Sequence, residues 1–370
     1  MKILVLSRHF PPAVSGGARR PYLWAKGLME AGNEVFVIAP DMLEGVDGKA
    51  VPHPFRDPPT GVPGPKTLRD HARDLLLWPD PDIRWTRRAL AVAKAECPFQ
   101  PDWILTTSPP ESIHAAGKAL KAHWQGAKWA IDARDHWLIR PFREQRQSVT
   151  RKTIEASLAK RMLASADAVF AVNDPIRDEF RDYAPNAEFH TLAHFVRRPA
   201  EPFEFEGPGP HLVHTGSFNL SDPYVSIDPL LRAFEQALDR SPSLQLHLAG
   251  RLRDDESQAV QNSTACDSIQ LHGIVPLDTA LSLQAGADAL IVVAAPNSPV
   301  PPGKLQEYRA TGRPVIPVGE GEWRKLVDDL PGSDAEQLAA VKPFSGSACP
   351  EGVVFYDDAM KQVSDTLRRL

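Results

Sequence analysis

Residues 2–40 read KILVLSRHFPPAVSGGARRPYLWAKGLMEAGNEVFVIAP. Ile3 to Leu6 is an unbroken apolar run, the pattern of a strand buried on both faces. A loop carrying the pair Gly16 and Gly17 follows, then a run that predicts a helix from about Pro21 to Ala31, stopping at Gly32. Glu34 to Ile38 is the next strand. Strand, glycine-bearing loop, helix and strand make a βαβ unit, and such units build parallel sheets covered by helices.

The same alternation runs on through the chain. WILTT (103–107), KWAIDA (128–133) and AVFAVN (168–173) read as further buried strands, with a basic helix over about 150–164. Residues 50–66 are rich in proline and glycine and read as a long surface loop. RRPAEPFEFEGPGP (197–210) has no apolar period and many prolines, and it interrupts the pattern. After it the alternation restarts with strands HLVHTG, LQLHLAG, IQLHG, ALIVVA and PVIPVG, and helices over 226–240, 276–286 and 303–311. The expected organisation is an N-terminal domain over 1–197, a linker over 198–210 and a second domain over 211–356. A closing helix, 357–370, is expected to pack back on the first domain. Two α/β halves of similar size predict two doubly wound parallel-sheet domains facing a cleft, with ligands beyond the carboxyl ends of the strands.

Bulk composition narrows the function classes. The chain has 370 residues, more than one core usually holds. Its net charge of −5 gives nucleic acid no polycationic partner. Cys97, Cys266 and Cys349 are odd in number and far apart, which suggests neither a disulfide framework nor a zinc site and fits a reducing compartment. The first apolar run is short for a signal peptide, and no stretch has the length of a spanning helix. A cytoplasmic protein is expected, with peripheral contact at the inner face of a membrane left open.

Several stretches carry candidate chemistry. Gly16 and Gly17 precede a helix and let backbone amides approach an anion, though a plain turn has the same composition. Gly216 and Ser217 in HTGSFNLSD offer donors to a diphosphate from a strand-to-helix loop, and Arg251 in LAGRLRDD follows a strand end in the same way. An ordinary loop and a solvated arginine are the alternatives. PPGKLQEYRATGRPVI (301–316) sets Lys304 in the first turn of a helix, where the dipole disfavours a cation unless an anion lies beside it. Glu307 stands one turn on, able to accept two hydrogen bonds from a ribose diol while Lys304 neutralises a diphosphate. An exposed ion pair worth about 0.2–0.5 kcal/mol is the competing account of that spacing.

Taken together, these stretches resemble the nucleotide-sugar-dependent glycosyltransferases of GT-B fold, specifically the large retaining family 4. The resemblance spans PPGKLQEYRATGRPVI, the opening KILVLSRHFPPAVSGGARRPYLWAKGLMEAGNEVFVIAP, PDWILTTSPPESIHAAGKAL, IDARDHW, ADAVFAVND, LVHTGSF, LHLAGR and IQLHGIVPLDTALSLQAGADALIVV, in the family's order. It implies a GT-B, α/β architecture of two Rossmann-like domains. It also implies a donor site in which Glu307 takes the ribose hydroxyls, Lys304 and Arg251 face the diphosphate, and Gly273 and Ile274 of HGIV meet the base. Gly16 and Gly17 would close over the phosphates, and the acceptor would bind the N-terminal half.

The expected reaction is retaining transfer from a UDP- or GDP-sugar to a saccharide or lipid-linked acceptor, in surface polysaccharide or glycoconjugate synthesis. Neither a metal nor another cofactor is expected. Arg134, Asp135 and His136 of ARDHW are the candidates for activating or positioning the acceptor.

There are departures from the family pattern. Pro299 stands where the family usually has a second glutamate, and Ser217 and Phe218 where a basic residue is common. Thr107 and Ser108 stand where many relatives have a histidine, although a subgroup with RD-x-W at 134–137 is known. A non-catalytic nucleotide-sugar-binding or partner-binding protein of the same fold is the alternative. The basic helix near 150–164, with Ile154, Leu158 and Met162 in a stripe, is either a packed surface helix or a membrane-facing one. Trp78 and Trp85 are either core residues or an aromatic platform for sugar rings.

Overall fold

The computed structural model describes residues 1–13, 16–53, 77–138, 149–218, 224–296, 304–327, 331–346 and 352–370. Among these the chain divides into two compact units. Unit 1 runs to Phe195 and includes Val354–Leu370; unit 2 is Val196–Val353.

Unit 1 is a parallel sheet in the order β3-β2-β1-β4-β5-β6-β7. Its strands are β1 (Lys2–Ser7), β2 (Glu34–Ala39), β3 (Gly48–Ala50), β4 (Trp103–Ser108), β5 (Lys128–Ala133), β6 (Ala168–Ala171) and β7 (Glu188–Thr191), and a two-residue strand β8 (Phe195–Val196) follows outside this sheet. Alternate strand residues feed two cores, because side chains switch face at every step. Leu4, Leu6, Ile104, Trp129 and Ile131 join one, with helices α1 (Gly16–Glu30) excluded from it; α2 (Ile83–Glu96), α3 (Ile113–His123), α4 (Val149–Leu163) and α5 (Asp174–Arg181) cover that face. Ile3, Val5, Trp103, Leu105 and Ala130 join the other, covered by α1 and by the closing helix Tyr356–Arg369.

The closing helix is fastened to unit 1 by packing and by polar contacts. Met360 lies so near Gly27 that a Cβ there would come within 2.5 Å of Met360 Cγ. Asn33 Nδ2 donates to Ser364 Oγ at 2.9 Å, and Trp103 Nε1 donates to the Leu367 carbonyl at 3.1 Å.

Helix α1 starts five residues before the expected Pro21, so the proline lies inside it. Helix α4 is a packed helix: Ala159, Met162 and Leu163 are core residues and Leu158 rests against them, while Ile154 is 47% exposed. Trp85 is also core, with its indole N–H donated to the Val51 carbonyl at 2.7 Å. Among the described residues no helix is long and apolar enough to cross a membrane.

Unit 2 repeats the plan with a parallel sheet in the order β11-β10-β9-β12-β13. These are β9 (His211–Thr215), β10 (Gln245–Ala249), β11 (Ile269–Gly273), β12 (Ala289–Val293) and β13 (Val315–Val318). Leu212, Leu246, Ile291 and Ile316 point to one core, Val213, Ala249, Leu290 and Val315 to the other. The helices are α6 (Asp228–Leu238), α7 (Asp254–Asn262), α8 (Leu277–Gly286), α9 (Leu305–Ala310) and α10 (Asp334–Ala339).

Part of the stretch read as a linker belongs to unit 2. Phe203 donates its backbone N–H to the Ser282 carbonyl at 2.9 Å, and Phe205 stacks on His211. These aromatic residues supply the apolar contact that a free linker would lack.

Candidate functional site

In unit 2 the chain leaves β9 toward β10 and β11 on one side, then crosses to β12 and β13 on the other. The β9/β12 boundary is therefore the topological switch point, where open parallel sheets hold ligands. Lys304 caps the N-terminus of α9, just beyond β12, and reaches back to the end of β9. Its ammonium donates to the Thr215 carbonyl at 2.7 Å and lies 3.2 Å from His214 Nε2. Both acceptors are neutral. Among the described residues Lys304 forms no ion pair, and burial pulls its pKa down to about 8, with Glu307 opposing the shift. The exposed Lys304–Glu307 pair weighed from the spacing is thus not what the chain builds. Glu307 is buried and accepts a hydrogen bond from Gln284 Nε2 at 3.3 Å.

The surrounding groups form one buried network. Gln284 Nε2 also donates to Thr215 Oγ1 at 2.8 Å, and the Thr215 amide donates to the Tyr308 hydroxyl at 2.8 Å. His214 Nδ1 donates to the Ile291 carbonyl at 3.0 Å, and its ring stacks on Phe218 with centroids 4.3 Å apart. His214, Gln284 and Tyr308 belong to three different elements, and no local spacing in the sequence announces them.

Gly216 closes β9 with φ +106°, and a Cβ there would lie 2.8 Å from the Lys304 ammonium. Gly250 closes β10 with φ +154°, and its Cβ would lie 2.4 Å from the Gly216 carbonyl oxygen. Both positions need glycine for backbone angle and for space. Ser217 is half-buried beside Gly216. Arg251 follows Gly250, is exposed, and makes no side-chain hydrogen bond or ion pair with the described residues. Arg253, its neighbour, is paired with Asp255 at 2.9 Å. Gly273 ends β11, its carbonyl accepting from the Gly250 amide at 2.8 Å, and Ile274 beyond it is 78% exposed. Pro299 lies outside the described residues.

In unit 1, Arg134 and His136 are both held by the fold. Arg134 is buried at the end of β5. Its guanidinium donates to the carbonyls of Ser108 (2.8 Å), Pro109 (3.1 Å) and Gly17. His136 Nδ1 meets Glu179 Oε2 at 2.6 Å, and the other oxygen of that buried carboxylate accepts from the Leu138 amide and the Tyr183 hydroxyl. Asp135, between them, is exposed. Gly16 and Gly17 form the first residues of α1 rather than a separate loop. The structure thus brings Gly17 and Arg134 together, and Lys304 with Gly216 and Glu307's network, each set within its own unit.

These observations set a glycine-opened helix and a strand-end arginine at the carboxyl edge of a doubly wound sheet, and they coincide with a family match. Residues 15–194 match the family described as "Glycosyl transferase 4-like domain". The whole chain has the GT-B fold, as its structural neighbours bear out. UDP-GlcNAc 2-epimerase from Methanocaldococcus jannaschii is similar with TM-score 0.57 and 8% identity, covering 100% of both chains. S. aureus MnaA, solved with UDP, has TM-score 0.51 and 13% identity, covering 99% of this chain and 96% of its own. TarM has TM-score 0.50 and 9% identity, covering 100% of this chain and 91% of its own. No curated protein sequence matches the chain.

Unit 1 holds further buried polar groups. His9, after β1, packs its ring on Gly17, and burial with the charges of Arg134 and Arg8 lowers its pKa to about 4. Arg20 forms a buried pair with Asp132 at 2.8 Å, and Thr107 Oγ1 donates to the same carboxylate. Asp80 accepts from the Ser112 amide and hydroxyl at 2.8 and 2.7 Å, fixing the start of α3. Burial and the neighbouring Glu111 push its pKa up to about 7. The Arg20–Asp132, Thr107–Asp132 and Asp80–Ser112 contacts join residues distant in sequence, so only the fold reveals them.

Proposed function

We propose that the protein is a retaining glycosyltransferase that moves a sugar from a UDP- or GDP-sugar to a saccharide or lipid-linked acceptor, in surface polysaccharide or glycoconjugate synthesis. The observation that carries the reading is Lys304: an enclosed ammonium at the switch point of unit 2, served among the described residues by neutral acceptors, beside the buried carboxylate of Glu307. A cation so placed is electrostatically incomplete until an anion joins it, and a nucleoside diphosphate supplies that anion together with a ribose for Glu307. The match of residues 15–194 to the glycosyl transferase 4-like family and a fold neighbour solved with UDP support the same donor class.

Breaking the anomeric bond leaves negative charge on the diphosphate and positive charge on the sugar ring. Lys304 and Arg251 are the groups that stabilise the former, and a preorganised charge in a poorly solvated site acts strongly on it. In this reading neutralisation comes from the chain rather than from a metal. The acceptor attacks from the face the leaving group vacates, and the departing phosphate oxygen takes its proton. Arg134 orders the loop ends of β4 and β5, while Asp135 and His136 contact or orient the acceptor.

Incubation with a panel of UDP- and GDP-sugars, with and without saccharide acceptors, tests the reading by nucleotide release. Release with one donor is expected. Tight binding with no turnover of any donor would favour a non-catalytic binding protein. Conversion to an isomeric nucleotide sugar without release would place the chain with the epimerases.

A further inference from the structure

His214 is nearly fully buried, and its surroundings leave it one orientation. Nδ1 faces the Ile291 carbonyl of β12, which can only accept, so the ring proton is on Nδ1. Nε2 therefore presents a lone pair, and it faces the Lys304 ammonium at 3.2 Å. Stacking on Phe218, with ring planes 12° apart, prevents the imidazole from turning away. A second proton on His214 would aim an N–H at the ammonium, and burial and Lys304 together hold the ring's pKa well below its ordinary value. Among the described residues, the charge that acts on the ammonium is Glu307, from its own helix, and the Tyr308 hydroxyl shares the Thr215 carbonyl with it.

We infer that His214 is a positioning residue for the donor diphosphate: its neutral Nε2 and the Thr215 carbonyl fix the Lys304 ammonium at the end of β9 with a donor left for a phosphate oxygen. The inference rests on the proposed donor site and adds to it a residue that never touches the substrate. An ammonium has three N–H donors, and two neutral acceptors take two of them without cancelling the charge. A carboxylate in place of His214 would neutralise the lysine, and an apolar residue would release it from the strand end. Because the ammonium is already close to losing its proton in this enclosed site, an acceptor at His214 also keeps it charged.

The test is the affinity of the full chain for UDP and GDP by calorimetry from pH 6.5 to 9.5. In the wild type, affinity falls as pH rises through about 8, where Lys304 loses its proton. His214→Phe, which keeps an aromatic ring against Phe218 but has no acceptor, is expected to bind about tenfold more weakly at pH 7, with its alkaline limb at lower pH. His214→Gln, whose amide oxygen can take the place of Nε2, is expected to recover most of the affinity.

Unchanged affinity and limb in a folded His214→Phe overturn the inference. If that variant does not fold, nitrogen chemical shifts of His214 in the wild type decide: the Nδ1–H tautomer supports it, and the Nε2–H tautomer overturns it. Lys304→Met separates the two levels of the argument. Undiminished nucleotide binding by Lys304→Met removes the donor site itself, whereas lost binding in Lys304→Met beside an unaltered His214→Phe removes only the positioning role.

Discussion

Arg134 donates to the carbonyl of Gly17, which is the α1 carbonyl that Pro21 would have served had it carried an N–H. An α-helix pairs each carbonyl with the amide four residues on, and proline has no amide hydrogen to give. The arginine of ARDHW therefore completes a helix more than a hundred residues away, while tying it to the ends of β4 and β5 through Ser108 and Pro109.

That relationship predicts a coupling. Arg134→Lys removes the planar fork and leaves buried carbonyls short of donors, at about 1–3 kcal/mol for each unsatisfied group. Pro21→Ala returns an N–H to the helix and can serve Gly17 without the arginine. Urea unfolding of the two single variants and the double variant should show Arg134→Lys costing about 1 kcal/mol less in the Pro21→Ala background, one hydrogen bond's worth. Additive losses would show that the two groups do not share this carbonyl.

The same residues explain what the sequence could and could not disclose. Buried parallel strands carry apolar runs, unbroken in β1 and β12 and interrupted by single polar residues in β5, β9 and β10, so these strands stand out without any tertiary information. The start of α1 does not, because a proline reads as the first residue of a helix and the compensating Arg134 is remote. Lys304 and Glu307 draw attention because one local helix holds both charges. His214, Gln284 and Tyr308 come from β9, α8 and α9 and meet only when the sheet is assembled. Asp80 and Glu111 are likewise brought together by the approach to α3.

Asp80 gives a pH prediction with a definite sign. Its carboxyl rises from an ordinary 3.8 to about 7, through burial first and Glu111 second. Between those values the folded chain holds a proton that the unfolded chain has lost, so stability falls as pH rises. The cost is absent below about pH 4 and complete above about pH 7. Glu111→Gln removes one of the causes, and each pKa unit it restores recovers about 1.4 kcal/mol at neutral pH. Denaturant midpoints at pH 4, 5.5 and 7 should therefore decline less in Glu111→Gln than in the wild type; parallel declines would exclude the coupling.

The closing helix should matter to unit 1 well beyond its position at the chain's end. Met360 is fully buried between α1 and the sheet, against the glycine that makes room for it. Met360→Ala opens a cavity at a site where Gly27 has no side chain to refill it, and a loss of about 2–5 kcal/mol is expected. Thermal unfolding checks this. A melting temperature within a degree of the wild type would mean the helix is held by its polar contacts through Asn33 and Trp103 instead.

The role given to Glu307 can be separated from a purely structural one by changing the ligand as well as the protein. Glu307 is buried and bonded to Gln284, so Glu307→Gln keeps the shape while removing the charge. Hydrogen bonds to a charged group contribute about 1.5–3 kcal/mol, so UDP or GDP affinity should fall by roughly ten- to a hundredfold. A nucleoside diphosphate lacking both ribose hydroxyls offers the carboxylate no donor. It should bind the wild type weakly and Glu307→Gln no more weakly, while both proteins unfold at similar denaturant concentrations. If the variant lost affinity equally for both ligands, Glu307 would be acting through the fold of α9 and the position of Lys304. If it lost none for either, the ribose would lie elsewhere and the donor would have to be rebuilt around the cation alone.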